Sequence, residues 1–213
     1  MANFRTHLSI AAAGSLTATA AALQAAPLTQ MEALLLFLLG LHAGLLPDID
    51  SDHSIPTRLL FTIFSFATAV ASVFLFYTEL SLVPLILLAL LAALSVRFIL
   101  FPLFAATTEH RGLFHSVPAA LLFGMALFFA GDHLFGWQTG FAWLAAAFVS
   151  GGYLLHLLLD EIYSVNFIGI TVKDSFGTAL TLFSRRSWLS YMLLYAAVAI
   201  AIWVAPPAQL LTF

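Results

Sequence analysis

The sequence predicts an all-α protein, a polytopic transmembrane helix bundle of about seven spans with its N-terminus on the cytoplasmic side, and three observations carry that expectation. Of 213 residues, 62% are hydrophobic and only 8% are charged. A soluble domain carries about 25% charged residues, so this chain cannot wrap an apolar core in a water-facing surface. The apolar residues fall in runs of near-membrane length, and six of the seven cations fall outside those runs, all on one side. The length suits a single integral-membrane domain over 1–213 and, at about 20 residues per span, at most about eight or nine helices.

In order, the spans read as 8–25, 31–46, 59–77, 82–101, 117–131, 141–159 and 188–205. Several are short, which suits helices that tilt little, are covered by a neighbour, or end in a polar cavity. Arg5 followed by an Ala/Ser/Thr-rich run and Gln24-Ala25-Ala26 has the outline of a secretory signal. The run is weakly hydrophobic for a signal core and is read as a retained span. Arg5 precedes span one, Arg58 follows span two, Arg111 follows span four, and Lys173, Arg185 and Arg186 follow span six. Short loops rich in Lys and Arg stay in the cytoplasm, so the N-terminus is predicted inside and the C-terminus outside. The stretch 161–187 is the one long polar connection, on the cytoplasmic side. Within it 165–172 (VNFIGITV) predicts strand with a turn, and 176–183 (FGTALTLF) a short interfacial helix.

The absence of cysteine excludes disulfides, thiolate metal sites, Fe–S clusters and a cysteine nucleophile, so any metal here takes nitrogen and oxygen ligands. A formal charge of −3 with scattered cations offers no basic stripe, and no nucleic-acid partner is expected.

Six histidines (His7, His42, His53, His110, His115 and His156) lie on the predicted cytoplasmic side or on a helix running into it, and His133 lies opposite. Asp48, Asp50, Asp52, Glu109, Asp160, Glu161 and Asp174 join them. Ionisable groups beside hydrocarbon are costly unless paired, hydrated or metal-bound, so this one-sided gathering predicts a shared site. Leu45-Leu46-Pro47-Asp48-Ile49-Asp50 closes span two. Its proline stops the helix, and alternate carboxylates on irregular backbone suit a cation loop, although the run alone also reads as a solvated helix end.

The run EHRGLFHS at 109–116 joins spans four and five. Ser116 is predicted to cap a helix with Pro118 in its first turn, setting His115 at an N-terminus whose N–H groups favour an anion such as phosphate. Alone it reads as a capped loop with two solvated histidines. His156 and Asp160 are four apart on one helix face, which fits a shared metal or a structural hydrogen bond. Gly151-Gly152 one turn earlier predicts close approach of another helix. His7, opening span one, reads as a ligand or an interfacial histidine, and His42 as a ligand or a partner for a neighbouring helix. Four clusters on one membrane face are better explained by one convergent metal site than by coincidence. Arg97, ahead of Pro102, reads as a snorkelling or ion-paired side chain. Arg58 and Arg111 read as forked donors for phosphate or carboxylate oxygens, or as positive-inside markers.

The order His7, Leu46-Pro47-Asp48-Ile49-Asp50, Arg58, His110-Arg111-Gly112, His115-Ser116, Gly152-Tyr153, His156 and Asp160 resembles the YdjM-like family of bacterial inner-membrane metal-dependent hydrolases. The resemblance runs from His7 to about Asp160 and implies a membrane-embedded, metal-dependent hydrolase without fixing a substrate. Phe114 stands where family members often have a small polar residue.

The expected reaction is hydrolysis of an ester, foremost a phosphoester, in a lipid or lipid-linked substrate reached from the cytoplasmic leaflet, with membrane lipids as surroundings. Asp48, Asp50, His115, His156 and Asp160 would bind one or two divalent ions, with His7 a further ligand. Glu109 or His110 would move a proton, and Arg58 and Arg111 would offset negative charge. Mixed His/Asp ligation favours zinc or manganese and permits magnesium or iron. A divalent-metal or proton transporter and a non-enzymatic membrane scaffold are the alternatives; transport asks for polar groups at mid-membrane, where only His42 and Arg97 qualify.

Overall fold

In the computed structural model the chain is all-α, and its described residues (3–50, 55–103, 113–166, 171–172, 180–185 and 187–208) hold a helix at each of the seven expected spans. These are α1 (Phe4–Ala25), α2 (Gln30–Ala43), α3 (Ile55–Phe76), α4 (Leu82–Ser95), α5 (Val117–Phe129), α6 (Thr139–Ile162) and α7 (Trp188–Val204). By length and composition five are able to cross a membrane, α4 and α5 reaching that length through the π turns that extend them, whereas α2 and α7 are shorter apolar helices. The chain packs as two compact units, Met1–Pro47 with Arg111–Phe213, and Asp48–His110.

In the first unit α6 is the central helix, with half of its span buried, packed against α1, α2 and α5, while α7 packs on α5. Its inward residues carry the core in layers. Phe141, Ala145 and Phe148 meet Leu36 of α2, Ala142 and Ala146 meet Met125 and Phe128 of α5, and Tyr153 and Leu157 meet Ala119 and Ala120 of α5. Small residues opposite large ones across these contacts, Ala142 and Ala146 of α6 in one layer and Ala119 and Ala120 of α5 in another, let the helices close up, as association in lipid requires, where apolar burial gives little drive.

Caps fix where the helices begin. Asn3 accepts from Thr6 N (2.9 Å) at the start of α1. Thr29 and Glu32 form a reciprocal capping box on α2, which occupies Glu32. α2 stops at Ala43, short of the expected 46, and Leu46–Asp50 forms a 3-10 turn around the buried Pro47, where irregular backbone was expected. α5 opens into a π turn over Ala130–Leu134, and the connection to α6 turns at Gly136, whose φ of 63° favours glycine. A two-residue antiparallel pairing, Val165–Asn166 with Thr171–Val172, matches the strand expectation for 165–172. The interfacial helix expected at 176–183 does not form where it is described: Thr181 instead bridges to Ser116 in a parallel strand-like contact.

The second unit is the pair α3 and α4, with the ring of Phe61, near the start of α3, 5.1 Å from that of Phe101, beyond the end of α4. Its hydroxyls, Thr62, Ser65, Thr68 and Ser72, donate back to carbonyls four residues earlier, so an apolar span can carry them without unsatisfied donors. α4 runs into a π turn over Val96–Leu100 just before Pro102, and the Arg97 guanidinium lies over the Phe101 ring at 5.1 Å.

Candidate metal centre

At one end of the first unit, the start of α1, the end of α6 and the segment leading into α5 converge. His7 sits in the first turn of α1, its backbone N–H donating to Asn3 O (3.1 Å), and is 2% exposed. His156 and Asp160, one turn apart on the inward face of α6, are 2% and 0% exposed. The His7 Nε2 lies 3.1 Å from Asp160 Oδ1, and His156 Nε2 lies 3.9 Å from Asp160 Oδ2. The His7 and His156 rings stack at 3.8 Å and 13°. His115 is fully buried, edge-on to His156 with centroids 6.1 Å apart.

The His156 ring is oriented by backbone. Its Nδ1 lies 2.8 Å from the carbonyl oxygen of Gly44, the residue that caps α2. A carbonyl only accepts, so Nδ1 carries the proton on that side, and Nε2 is the ring atom that faces Asp160. Helix-terminal carbonyls have no partner in their own helix, and this one is brought within reach because α2 and α6 touch backbone to backbone. A Cβ on Gly152 would collide with the carbonyl oxygen of Gly40 and stand 3.1 Å from Ala43 Cβ. The expected close approach at Gly151-Gly152 is therefore made, by Gly152.

One turn before His156, the Tyr153 hydroxyl donates to Phe114 O (2.5 Å) and its ring stacks on Phe123, holding the segment that presents His115. Ser116 caps α5 as expected, accepting from Ala119 N at 3.3 Å and donating to Leu113 O at 2.6 Å. The anion site expected at this N-terminus is corrected by the same contacts. Val117 N donates to Thr181 O (3.1 Å), Ala119 N to the Ser116 hydroxyl, and Ala120 N to Ser116 O, while Pro118 has no N–H. The bridge from Thr181 uses the donor that a phosphate would need, and no sequence signal in the 161–187 stretch foretold it.

The ligand atoms of His7, His156 and Asp160 lie within 4.8 Å of one another. The His7 Nδ1 is buried with no hydrogen-bond partner among the described residues. Native interiors rarely leave such an atom without a reason, and a nitrogen-and-oxygen donor set of this kind fits zinc, manganese or iron. Thus His7, His115, His156 and Asp160 come together as the sequence led us to expect. Asp48 belongs to the other unit, half-buried on the 3-10 turn, its backbone carbonyl accepting from Thr57 Oγ1 (3.2 Å). The Asp50 side chain, Glu109, His110 and Arg111 lie outside the described residues. Arg58 is exposed on α3. His42 is exposed and bonds its own helix at Leu38 O (2.7 Å), away from this cluster, and His133 pairs with Asp132 (3.2 Å) beyond α5. The Tyr153 hydroxyl and the Gly44 carbonyl were not among the expected site groups. Tyr153 was findable, being three residues before His156 on one helical face, whereas a backbone carbonyl leaves no trace in side-chain pattern.

Seven apolar helices with histidines and a carboxylate buried together at the end of one helical unit define a polytopic membrane protein with a candidate metal centre. A family model described as YdjM inner membrane protein matches residues 1–208, and the chain belongs to that family. No curated protein and no solved structure matches it.

Proposed function

We propose that the protein is a multi-pass, metal-dependent hydrolase of the bacterial inner membrane that cleaves a phosphoester of a lipid or lipid-linked substrate from the cytoplasmic face. The observation that carries this reading is the buried trio His7, His156 and Asp160, brought from α1 and α6, 153 residues apart for His7 and Asp160, to within 4.8 Å, beside the fully buried His115. A divalent cation bound there, zinc or manganese by its donors and with magnesium or iron also admissible, would supply a water of lowered pKa and polarise a phosphoryl oxygen. Asp160 is the anionic anchor, and the Gly44 carbonyl holds the His156 ring in place. Buried Tyr153 and Leu157 keep bulk water from the inner side of the trio.

The remaining roles come from sequence alone. Glu109 or His110 moves the proton, Arg58 and Arg111 offset negative charge, and Asp48 and Asp50 add oxygen ligands for a first or second ion.

The test is elemental analysis of detergent-purified protein, followed by a screen of phospholipid and polyprenyl-phosphate substrates. Bound zinc or manganese together with metal-dependent release of a phosphate product is expected. A metal-free preparation that stays inert after reconstitution with several divalent ions overturns the proposal, and metal accumulation in sealed vesicles without turnover transfers the site to a transporter.

A further inference from the structure

A cavity of about 400 Å³ lies among α1, α2 and α6, floored by Gly40 and walled by Gly14, Ala18, Ala147, Gly151 and Leu155. That volume is within the range of about 300–1,000 Å³ common to small-ligand sites. Ala18, Ala147 and Gly151 are exposed, so the cavity opens sideways between α1 and α6, onto the flank of the span. Its polar wall group, Ser15, already donates to Phe37 O (2.7 Å), so the lining makes no call on water. Its upper end reaches Gly152, one turn of α6 from His156, and Leu155, the residue before it.

The medium at the flank of a span is hydrocarbon, and an apolar cleft left empty would forfeit dispersion contact along its whole lining. A lipid chain restores it, and the cleft's lining at Gly152 and Leu155 sets one end of such a chain within about a turn of α6 of His156. We propose that the cleft binds one acyl chain of a bilayer phospholipid and so sets the substrate class. The phosphate end of the inference rests on the reading of the metal centre given above; the chain end rests on the cleft.

Gly151 separates the two. A Cβ there meets nothing within 4 Å, whereas one at Gly14 would meet Leu155 Cδ2 at 2.5 Å and one at Gly152 the Gly40 carbonyl. Gly151 lines the cleft and has open space at its Cβ, so a side chain there has room to occupy the cleft without pushing on a neighbouring helix at that atom. The experiment uses full-length protein in vesicles of phosphatidylcholine with a trace of phosphatidic acid bearing a photoactivatable diazirine on its acyl chain, adducts being mapped by mass spectrometry. Adducts concentrated on the cleft walls of α1 and α6, falling about tenfold or more in Gly151→Leu and partly in Gly151→Ala, are the expected result. Elution profile and metal content should stay as in the unsubstituted protein. Adducts spread evenly over the exposed faces of α3, α4 and α7, or unchanged in Gly151→Leu, overturn the proposal, as does a polyprenyl phosphate that competes better than phosphatidic acid. Metal content in the same samples distinguishes the two readings. Selective labelling of a protein that binds no cation keeps the cleft and removes the metal centre, while bound metal with unselective labelling removes the cleft alone.

Discussion

His156 is oriented through Nδ1, on the Gly44 carbonyl, and its Nε2 faces Asp160 Oδ2 at 3.9 Å, so the carboxylate is the group whose charge decides what the pair can hold. Asp160→Asn keeps the shape and replaces an anionic acceptor with an amide that also donates. Bound metal should fall by at least about tenfold, equivalent to about 1.4 kcal/mol, read by elemental analysis beside a size-exclusion profile. Unchanged metal in that variant would take Asp160 out of the centre. His7→Phe preserves a ring to stack on His156 and removes both nitrogens. It should lose metal to a similar degree, whereas His42→Phe, altering an exposed ring bonded to its own helix, should leave metal content as it was. Legibility follows the same division. His156 and Asp160 were readable because four residues is one helical turn. His7, 153 residues from Asp160, was readable only after counting spans and sides. The Gly44 carbonyl was not readable at all.

Among the elements, the α2–α6 contact controls the centre from outside it. Gly152→Ala places a methyl group against the Gly40 carbonyl, so α2 must move and carry Gly44 away from His156. Disturbing a group that orients a ligand costs about 10–100-fold in metal affinity, and overpacking costs about 1–3 kcal/mol in stability. The expected outcome is weakened metal binding with helical circular dichroism retained, and affinity equal to that of the unsubstituted protein would show that Gly44 does not tune the ring. Ser116→Ala removes the cap of α5 and should cost about 1 kcal/mol in thermal or denaturant unfolding. The seven helices were legible because a membrane-spanning segment must satisfy its own backbone and so declares itself as an apolar run. Helix ends were less so. α1 begins at Phe4 because Asn3 caps it, and α2 ends early because Pro47 diverts the chain into a 3-10 turn. Where it is described, over 180–183, the expected helix is absent because Thr181 found a backbone partner at Ser116, a tertiary contact that overrides local pattern.

For the whole molecule, a cation joining α1 to α6 links the first helix of the chain to the sixth and should stabilise the folded state over the unfolded one. With free ion at about 100 times its dissociation constant the gain is about 2.7 kcal/mol, and in a chain of this size that is about 5–10 °C in melting temperature. A chelator should lower the melting temperature by that amount and re-addition of zinc or manganese restore it; a temperature indifferent to both would detach the cluster from metal binding. The face on which the cluster sits is a separate matter, decided by where the cations lie. The order of spans read from the sequence puts Arg5, Arg58, Arg111, Lys173, Arg185 and Arg186 on the side expected for His7 and His115, which the positive-inside rule would assign to the cytoplasm. The chain has no cysteine, so single-cysteine variants report one position each without background. Thr78→Cys, exposed in the turn after α3, should react with a membrane-impermeant maleimide in spheroplasts. Ser184→Cys, beside Arg185, should react only after the membrane is opened. The reverse pattern would turn the centre toward the outer leaflet, and with it the source of any lipid substrate.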